Sequence, residues 1–205
     1  MREALRVGAA LFNDGHYHPA HDAWEDQWLS LGKGSEDERF LHGLIQYTAA
    51  VYHLANDNPE GARGLSNTAQ GYLVDLPPDY REVNLDAIRE MLASIEANPA
   101  TARPEETVPI TIGEEPIRLA VLEPSECWLA AEILAEDGIG FDPDVIREAE
   151  ELAETPHDRF GTLVQDFVHR GPERGLVYER LRQHVNRERS RRSGIDELFE
   201  SNGEK

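Results

Sequence analysis

The sequence holds a single cysteine, Cys127, among its 205 residues. One cysteine excludes an internal disulfide framework and a cysteine-based zinc site, and we interpret Cys127 as a buried small hydrophobe rather than a nucleophile. Long apolar runs are also missing, because no segment approaches the roughly 20 apolar residues of a membrane-spanning helix. The first thirteen residues show no signal-peptide cleavage pattern. We therefore expect a cytoplasmic protein with no membrane partner.

Lysine is the other scarce residue, found only at Lys33 and Lys205 beside eighteen arginines. Forty acidic residues against twenty basic ones give a formal net charge of -20 at pH 7. So acidic a chain is often disordered, but these acids are interleaved with apolar residues at helical spacing, which favours a folded protein. A carboxylate-rich, lysine-poor surface is typical of halophilic microbes, in which molar salt screens the self-repulsion. We therefore expect a halophilic protein.

Helical periodicity dominates the first hundred residues and predicts five helices, which begin near residues 5, 18, 36, 59 and 85. Ser35 and Glu38 have the spacing of a capping box at the start of the third helix. That helix, about 36–56, is apolar on nearly all sides, so we expect it to be the central, buried one.

The pattern changes at 98–124, where "PITIGEEPIRL" alternates apolar and polar residues around "GEE" and predicts a small β-hairpin. Four more helices are predicted at about 125–136, 142–154, 157–169 and 172–192. The motifs "FDPD" and "TPHD" mark two of their starts. The sequence thus predicts an all-α fold: a helical bundle of about five helices with the hairpin in a domain over 1–122, and a helical C-terminal extension over 123–205.

The stretch "AHDAWEDQW", residues 20–28, combines acidic groups with two tryptophans inside the second predicted helix. At 100° per residue from His21, Glu25 lies at about 40°, Trp28 at about -20° and Trp24 at about -60°. Asp22 lies at about 100°, toward the outside. The spacing therefore predicts that His21 and Glu25 point inward, between the two tryptophans.

The third predicted helix carries a matching set of polar residues, since His42, Gln46 and His53 lie within about 60° of one another. If the second and third helices form an antiparallel hairpin, residues equally far from the loop face each other. We then expect Glu25 near His42, His21 near Gln46, and His53 near the start of the second helix. Buried polar groups are costly unless paired, so facing sets indicate a network or a pocket.

The segments "FNDGHYHPAHDAWEDQW", "FLHGLIQYTAAVYHL" and "NPEGA" closely resemble domain-of-unknown-function family 309, an all-helical family of small prokaryotic proteins. The resemblance covers about residues 5–75, and the region to about 120 is similar to halophilic members. Asp22 stands where the family usually has glutamate, and His42 is not a pattern position. The resemblance implies a fold and a set of positions, but no established activity. The matching positions are Phe12, Asn13, Gly15, Tyr17, His21, Asp22, Glu25, Trp28, Gly43, Gln46, His53 and Gly61.

Three interpretations of His21, Glu25, Trp28, Gln46 and His53 remain open. The first is a buried hydrogen-bond network that determines helix packing, and the second is a small-ligand pocket lined by the same groups. The third is a divalent metal held by His21, Glu25 and His53, although "HDAWE" lacks the second histidine of the H-E-x-x-H motif. No catalytic residue and no other cofactor is identified, so whether the protein is an enzyme stays open.

The segment "RGPERGLVYERLRQHVNRERSRR", residues 170–192, is rich in arginine, with an apolar stripe of Val177, Leu181 and Val185. One hypothesis is nucleic-acid contact through this helix. The alternative, which we favour, is a basic helix that docks on the acidic body of the protein or on an acidic partner subunit. A homo-oligomer is compatible with the sequence.

If the acidic surface is an adaptation to salt, the thermal unfolding midpoint should rise as KCl is raised from dilute to molar concentrations, because salt screens repulsion among the carboxylates. Thermal unfolding followed by circular dichroism over a KCl series measures this. A midpoint that is unchanged or lower in molar KCl would contradict the prediction.

Overall fold

The computed structural model describes the backbone of residues 1–202 and the side chains of residues 1–192. This part of the chain is mostly helical, with one small antiparallel sheet, so the predicted all-α class and hairpin are confirmed. Its elements are α1 (Arg2–Asn13), α2 (Tyr17–Leu29), α3 (Glu36–Ala55), α4 (Pro59–Leu73), α5 (Leu85–Ala97), β1 (Thr111–Ile112), β2 (Glu115–Pro116), α6 (Glu126–Asp137), α7 (Pro143–Leu152), α8 (Arg159–His169) and α9 (Arg174–Asn202).

The chain forms two compact units, Met1–Leu122 and Glu123–Lys205. In the first unit the closest helix pairs follow chain order: α1 with α2, α2 with α3, α3 with α4, and α4 with α5. Short connections favour this order, because they keep consecutive helices adjacent in space. The structure thus shows a succession of neighbouring helix pairs in place of the single five-helix bundle that the sequence predicts.

Helix α3 lies between α2 and α4, and half of its twenty residues are buried. At the start of α3, only the Ser35 half of the predicted capping box forms. The hydroxyl of Ser35 accepts a hydrogen bond from the backbone amide of Glu38 at 3.2 Å. The Glu38 carboxylate does not reach back to Ser35; it accepts from the backbone amide of Gly34 at 3.1 Å and from the indole of Trp28 at 2.9 Å. Glu38 therefore connects the start of α3 to the end of α2.

Helix α2 turns a narrow face toward the core, made of Pro19, Ala20, Ala23 and Trp24. The side chain of Trp24 is fully buried, and its indole lies against Gly8 of α1. A Cβ atom at Gly8 would stand only 2.2 Å from the indole ring, so the contact requires glycine. The prediction that His21 and Glu25 point inward, between the two tryptophans, is therefore wrong. Small side chains allow α1 to approach closely, and His21, Glu25 and Trp28 lie beside the buried face, only partly buried.

The hairpin packs on the end of α1 through Asn13. The side-chain amide of Asn13 donates to the carbonyls of Ile110 and Ile117 at 2.8 Å each, and its oxygen accepts from the amide of Ile110 at 2.8 Å. Gly113 takes a φ of +74° at the tip, as a tight turn requires. One side chain thus satisfies backbone groups on both sides of the hairpin.

The second unit contains α6–α9, and its helix starts follow the predicted motifs. Asp142 accepts a hydrogen bond from the amide of Asp144, and Asp158 accepts from Phe160 and Gly161. Cys127 is fully buried in α6, where desolvation, helped by Glu126 and Glu123, raises the pKa of its thiol to about 12. Its sulfur lies 3.5 Å from Nε2 of His169, but a thiol with so high a pKa is a poor nucleophile.

Several arginines of α9 form ion pairs within the second unit. Arg189 pairs with Glu148 of α7, and Arg159 of α8 pairs with Glu188 of α9. The Arg189 pair agrees with the hypothesis of a basic helix docked on acidic neighbours, whereas in the Arg159 pair the acidic group belongs to α9. Nucleic-acid contact through this helix stays an untested hypothesis, and residues 203–205 of the predicted extension lie outside the described residues. Over residues 1–202, no helix is both long and apolar enough to cross a membrane.

Gly8→Ala should destabilise the protein, because the new methyl group must displace a fully buried indole. Overpacking of this kind typically costs about 1–3 kcal/mol. The matched control is Gly71→Ala, since Gly71 is an exposed helical glycine with nothing within 4 Å of its Cβ position. Replacing an unconstrained helical glycine with alanine typically gains up to about 1 kcal/mol. Denaturant unfolding measures both; midpoints that shift alike in the two variants would contradict the packing argument.

Candidate metal centre

One face of α2 brings together three side chains that can bind metals. Ligand atoms of His21, Asp22 and Glu25 all lie within 4.8 Å of one another. All three side chains are partly buried; the exposed fractions are 31% for His21 and 35% for Asp22. Helix geometry explains the grouping, because residues one and four apart lie within about 100° of each other around the axis. The group therefore stands at a surface that solvent and ions can reach.

Within this group, Nδ1 of His21 lies 3.1 Å from Oδ1 of Asp22. The hydrogen bond with Asp22 raises the pKa of His21, burial opposes this, and the charges of Asp22 and Glu25 add to the increase. Asp22 also lies 3.5 Å from His18, measured from Oδ2 to Nδ1. His18 was not a candidate from the sequence, although its spacing of four residues from Asp22 was a signal for it. We call His21, Asp22 and Glu25 the α2 cluster.

The predicted metal ligand His53 stands in a different environment. Its Nδ1 accepts a hydrogen bond from the side-chain amide of Asn58 at 2.8 Å, and Asn58 caps α4 by accepting from the amide of Gly61 at 3.0 Å. A Cβ atom at Gly61 would stand 2.6 Å from Asn58 and 2.7 Å from His53. His53, Asn58 and Gly61 thus form the turn between α3 and α4, and His53 is not part of the α2 cluster.

Trp28 likewise belongs to a second group. Its ring lies 4.6 Å from that of His42, which stacks on Tyr72 at 3.9 Å. The Trp28 indole holds the pKa of the Glu38 carboxyl below its usual range; burial opposes this, and Gly34 and His42 contribute less. Nδ1 of His42 is buried without a hydrogen bond, 3.5 Å from Glu38. This group joins α2, α3 and α4.

Among the described residues, the ring contacts between α2 and α3 do not follow the expected register, in which Glu25 lies near His42 and His21 near Gln46. Across α2 and α3, ring contacts instead join His42 to Trp28 and Tyr52 to His18, the latter at 5.7 Å. Gln46 is partly buried on α3. If the antiparallel pairing set by these two ring contacts is continued along both helices, the residue opposite His21 is Ala49 rather than Gln46.

The fold and this face define a mostly helical protein with an imidazole and carboxylate cluster on its second helix. Residues 5–65 match the family model "Domain of unknown function (DUF309)". An "Uncharacterized protein" of Aquifex aeolicus (strain VF5) is 26% identical over 104 residues, which is 51% of this chain and 31% of that protein. The chain thus matches about a third of that relative's length. The family match supports a resemblance to this family over the N-terminal segment.

Removing the negative charge of Asp22 should lower the pKa of His21 toward the ordinary value of about 6.5. In Asp22→Asn the largest cause of the increase is removed, whereas Glu25→Gln removes only a smaller Coulomb contribution and should lower the pKa less. NMR titration of the His21 imidazole in the parent and in both variants measures this. A larger shift in Glu25→Gln than in Asp22→Asn would contradict this assignment.

The raised pKa of His21 also makes the stability of the fold depend on pH. Protonated His21 stabilises the fold at pH values below its ordinary pKa, and that contribution is lost as pH rises through the raised pKa of the folded state. The partial exposure of both partners keeps the contribution small.

Proposed function

We propose that the α2 cluster binds a divalent metal ion, and that metal binding is the primary chemical property of the N-terminal unit. The observation that carries this proposal is the convergence of one imidazole and two carboxylates within 4.8 Å. These are ligand types that divalent transition metals prefer in proteins. Their partial exposure leaves room for an ion with its remaining water ligands.

The architecture of the neighbouring positions supports this choice. Several positions that carry the family resemblance have structural contacts. Asn13 hydrogen-bonds to both sides of the hairpin, and the Trp28 indole donates a hydrogen bond to Glu38. Gly61 and His53 lie in the turn before α4. Each therefore has a packing role. Ligand atoms of His21, Asp22 and Glu25 lie within 4.8 Å of one another on an accessible face, and this grouping is better explained by a ligand than by packing.

A sealed hydrogen-bond network is a weaker explanation of the same residues. Such a network stabilises a core when its members are buried and satisfied, but His21 and Asp22 each keep about a third of their side-chain surface exposed. An exposed pair of this kind contributes roughly 0–1 kcal/mol. We expect variants of the α2 cluster to stay folded, which makes binding experiments on them interpretable.

We also propose a domain division and a salt adaptation for the chain. The family-like domain would comprise residues 1–122, and residues 123–205 would be a separate helical extension with an acid-paired basic helix. The -20 net charge would make the protein salt-adapted and would attract cations to its surface. No nucleic-acid role and no catalytic step is assigned.

The test is Zn²⁺ binding to the full chain without an affinity tag, measured by isothermal titration calorimetry in molar KCl to screen non-specific attraction. Asp22→Asn and His21→Ala should each weaken the tightest site by at least about tenfold, as loss of a ligand or its partner typically does. The matched control is Asp79→Asn, which removes the same charge from an exposed position of the same unit.

Parent-like Zn²⁺ affinity in Asp22→Asn and His21→Ala would overturn the proposal. An equal loss in Asp79→Asn would do the same, because it would show that general surface charge binds the ion. Circular dichroism of each variant checks that the fold is retained.

A further inference from the structure

The first unit contains a cavity of about 440 Å³ that shares no residue with the α2 cluster. Three segments that are distant in the sequence form it: the first turn of α1, the turn at residues 80–82 before α5, and strand β1. Cavities that bind small molecules usually measure about 300–1,000 Å³, so its size suits such a ligand. The lining residues are Met1, Arg2, Leu5, Arg81, Glu82 and Ile112.

The lining of this cavity divides into an apolar part and a charged part. Every lining residue that is buried or partly buried is apolar, and every exposed one is charged. The apolar side chains therefore form the inner wall, and the charged ones form the rim. The inner wall is Met1, Leu5 and Ile112, and the rim is Arg2, Arg81 and Glu82. In a chain with a net charge of -20, two arginines beside one glutamate make a local excess of positive charge.

One arginine of the rim is held in a fixed orientation. Nε and Nη2 of Arg81 donate to the two carboxylate oxygens of Asp37 at 2.9 and 2.6 Å. The hydroxyl of Tyr80 donates to the same carboxylate at 2.8 Å. Nη1 of Arg81 is not part of this bidentate pair, so it can donate to a ligand without breaking it.

The backbone at the rim has an unusual conformation. Arg81 and Glu82 are consecutive residues other than glycine with φ values of +56° and +64°. Side chains disfavour this left-handed region, and residues held there often lie at functional sites. Backbone hydrogen bonds hold the turn, from the amide of Gly113 to the carbonyl of Glu82 at 2.8 Å and from Val83 to Tyr80 at 3.1 Å. Two charged side chains thus occupy positions that would suit glycine, and both line the cavity.

We propose that this cavity binds a small amphipathic carboxylate. The two arginines of the rim hold its charged end, because the planar fork of a guanidinium matches the two oxygens of a carboxylate. Its apolar chain packs against Met1, Leu5 and Ile112, where the burial of apolar surface adds to the affinity. Glu82 repels the charged end and limits the affinity. The inference goes beyond the proposed metal site, since no residue of the α2 cluster takes part.

The probe is octanoate, added to the full chain without extra residues at its N-terminus. The sequence has two methionines, Met1 at the cavity and Met91 on α5, which packs against Leu54, Ala62 and Ile95. Labelling the methionine methyl groups with ¹³C therefore gives two NMR signals, which Met91→Leu assigns. Octanoate should shift the Met1 signal saturably and leave the Met91 signal in place, and the titration gives the dissociation constant.

Variants of the rim should change this constant in opposite directions. Arg2→Gln should weaken octanoate binding about three- to fivefold, the effect of a partly exposed charge pair. Glu82→Gln should strengthen it by a similar factor, because a like charge is removed. Arg63→Gln is the matched control, since it removes an exposed arginine of the same unit outside the cavity lining. Circular dichroism checks that each variant is folded.

Acetate tests the inner wall, because it has the same charge without the apolar chain. It should bind at least about tenfold more weakly than octanoate, and equal affinity would overturn the role of the apolar residues. A Met1 signal that octanoate does not shift saturably would overturn the proposal as a whole. Parent affinity in both Arg2→Gln and Glu82→Gln would do the same, since the ligand would not then contact the rim. Zn²⁺ binding at the α2 cluster is measured separately, so either proposal can fail without the other.

Discussion

The buried indole of Trp24 determines how α2 is rotated about its own axis, and the rest of the N-terminal unit depends on that rotation. The indole lies against Gly8, where only a hydrogen atom leaves enough space. Taking His21 as zero, Trp24 lies at about -60° and Ala20 at about -100°, so the buried side of the helix is centred far from His21. The α2 cluster, between about 0° and 100°, is therefore turned toward solvent along the border with α3. The same contact that packs α1 against α2 thus keeps the proposed metal ligands accessible.

The register between α2 and α3 follows from the direction of the side chains. Side chains in a helix lean toward its N-terminus, so in an antiparallel pair those of α2 lean away from the connecting loop and those of α3 lean toward it. Residues whose rings meet are consequently not equally far from the loop, and the residue on α3 is the more distant one. This offset explains why His42 meets Trp28 instead of Glu25, and why Tyr52 meets His18. It also places the small side chain of Ala49 opposite His21.

The histidines of the first unit have different roles because their neighbours differ. His53 accepts a hydrogen bond from Asn58 and is held at the turn into α4. His42 is packed between Trp28 and Tyr72, where it links three helices. His18 and His21 share Asp22 on an accessible face. Residue type alone does not distinguish these cases, since the same imidazole serves as a hydrogen-bond acceptor, a packing ring or a candidate ligand.

The amino-acid sequence by itself determined the helical class, the hairpin and most helix starts, because caps and turns depend on neighbouring residues. Ser35, Asn58, Asp142 and Asp158 each satisfy amides within three residues. The sequence also identified His21 and Glu25 as candidates. Only the tertiary structure decided that Asp22 joins them, that His53 does not, and that α2 faces the core through Ala20, Ala23 and Trp24. The physical reason is that the orientation of a helix depends on how closely its neighbours approach, and Gly8, thirteen residues before His21, controls that approach.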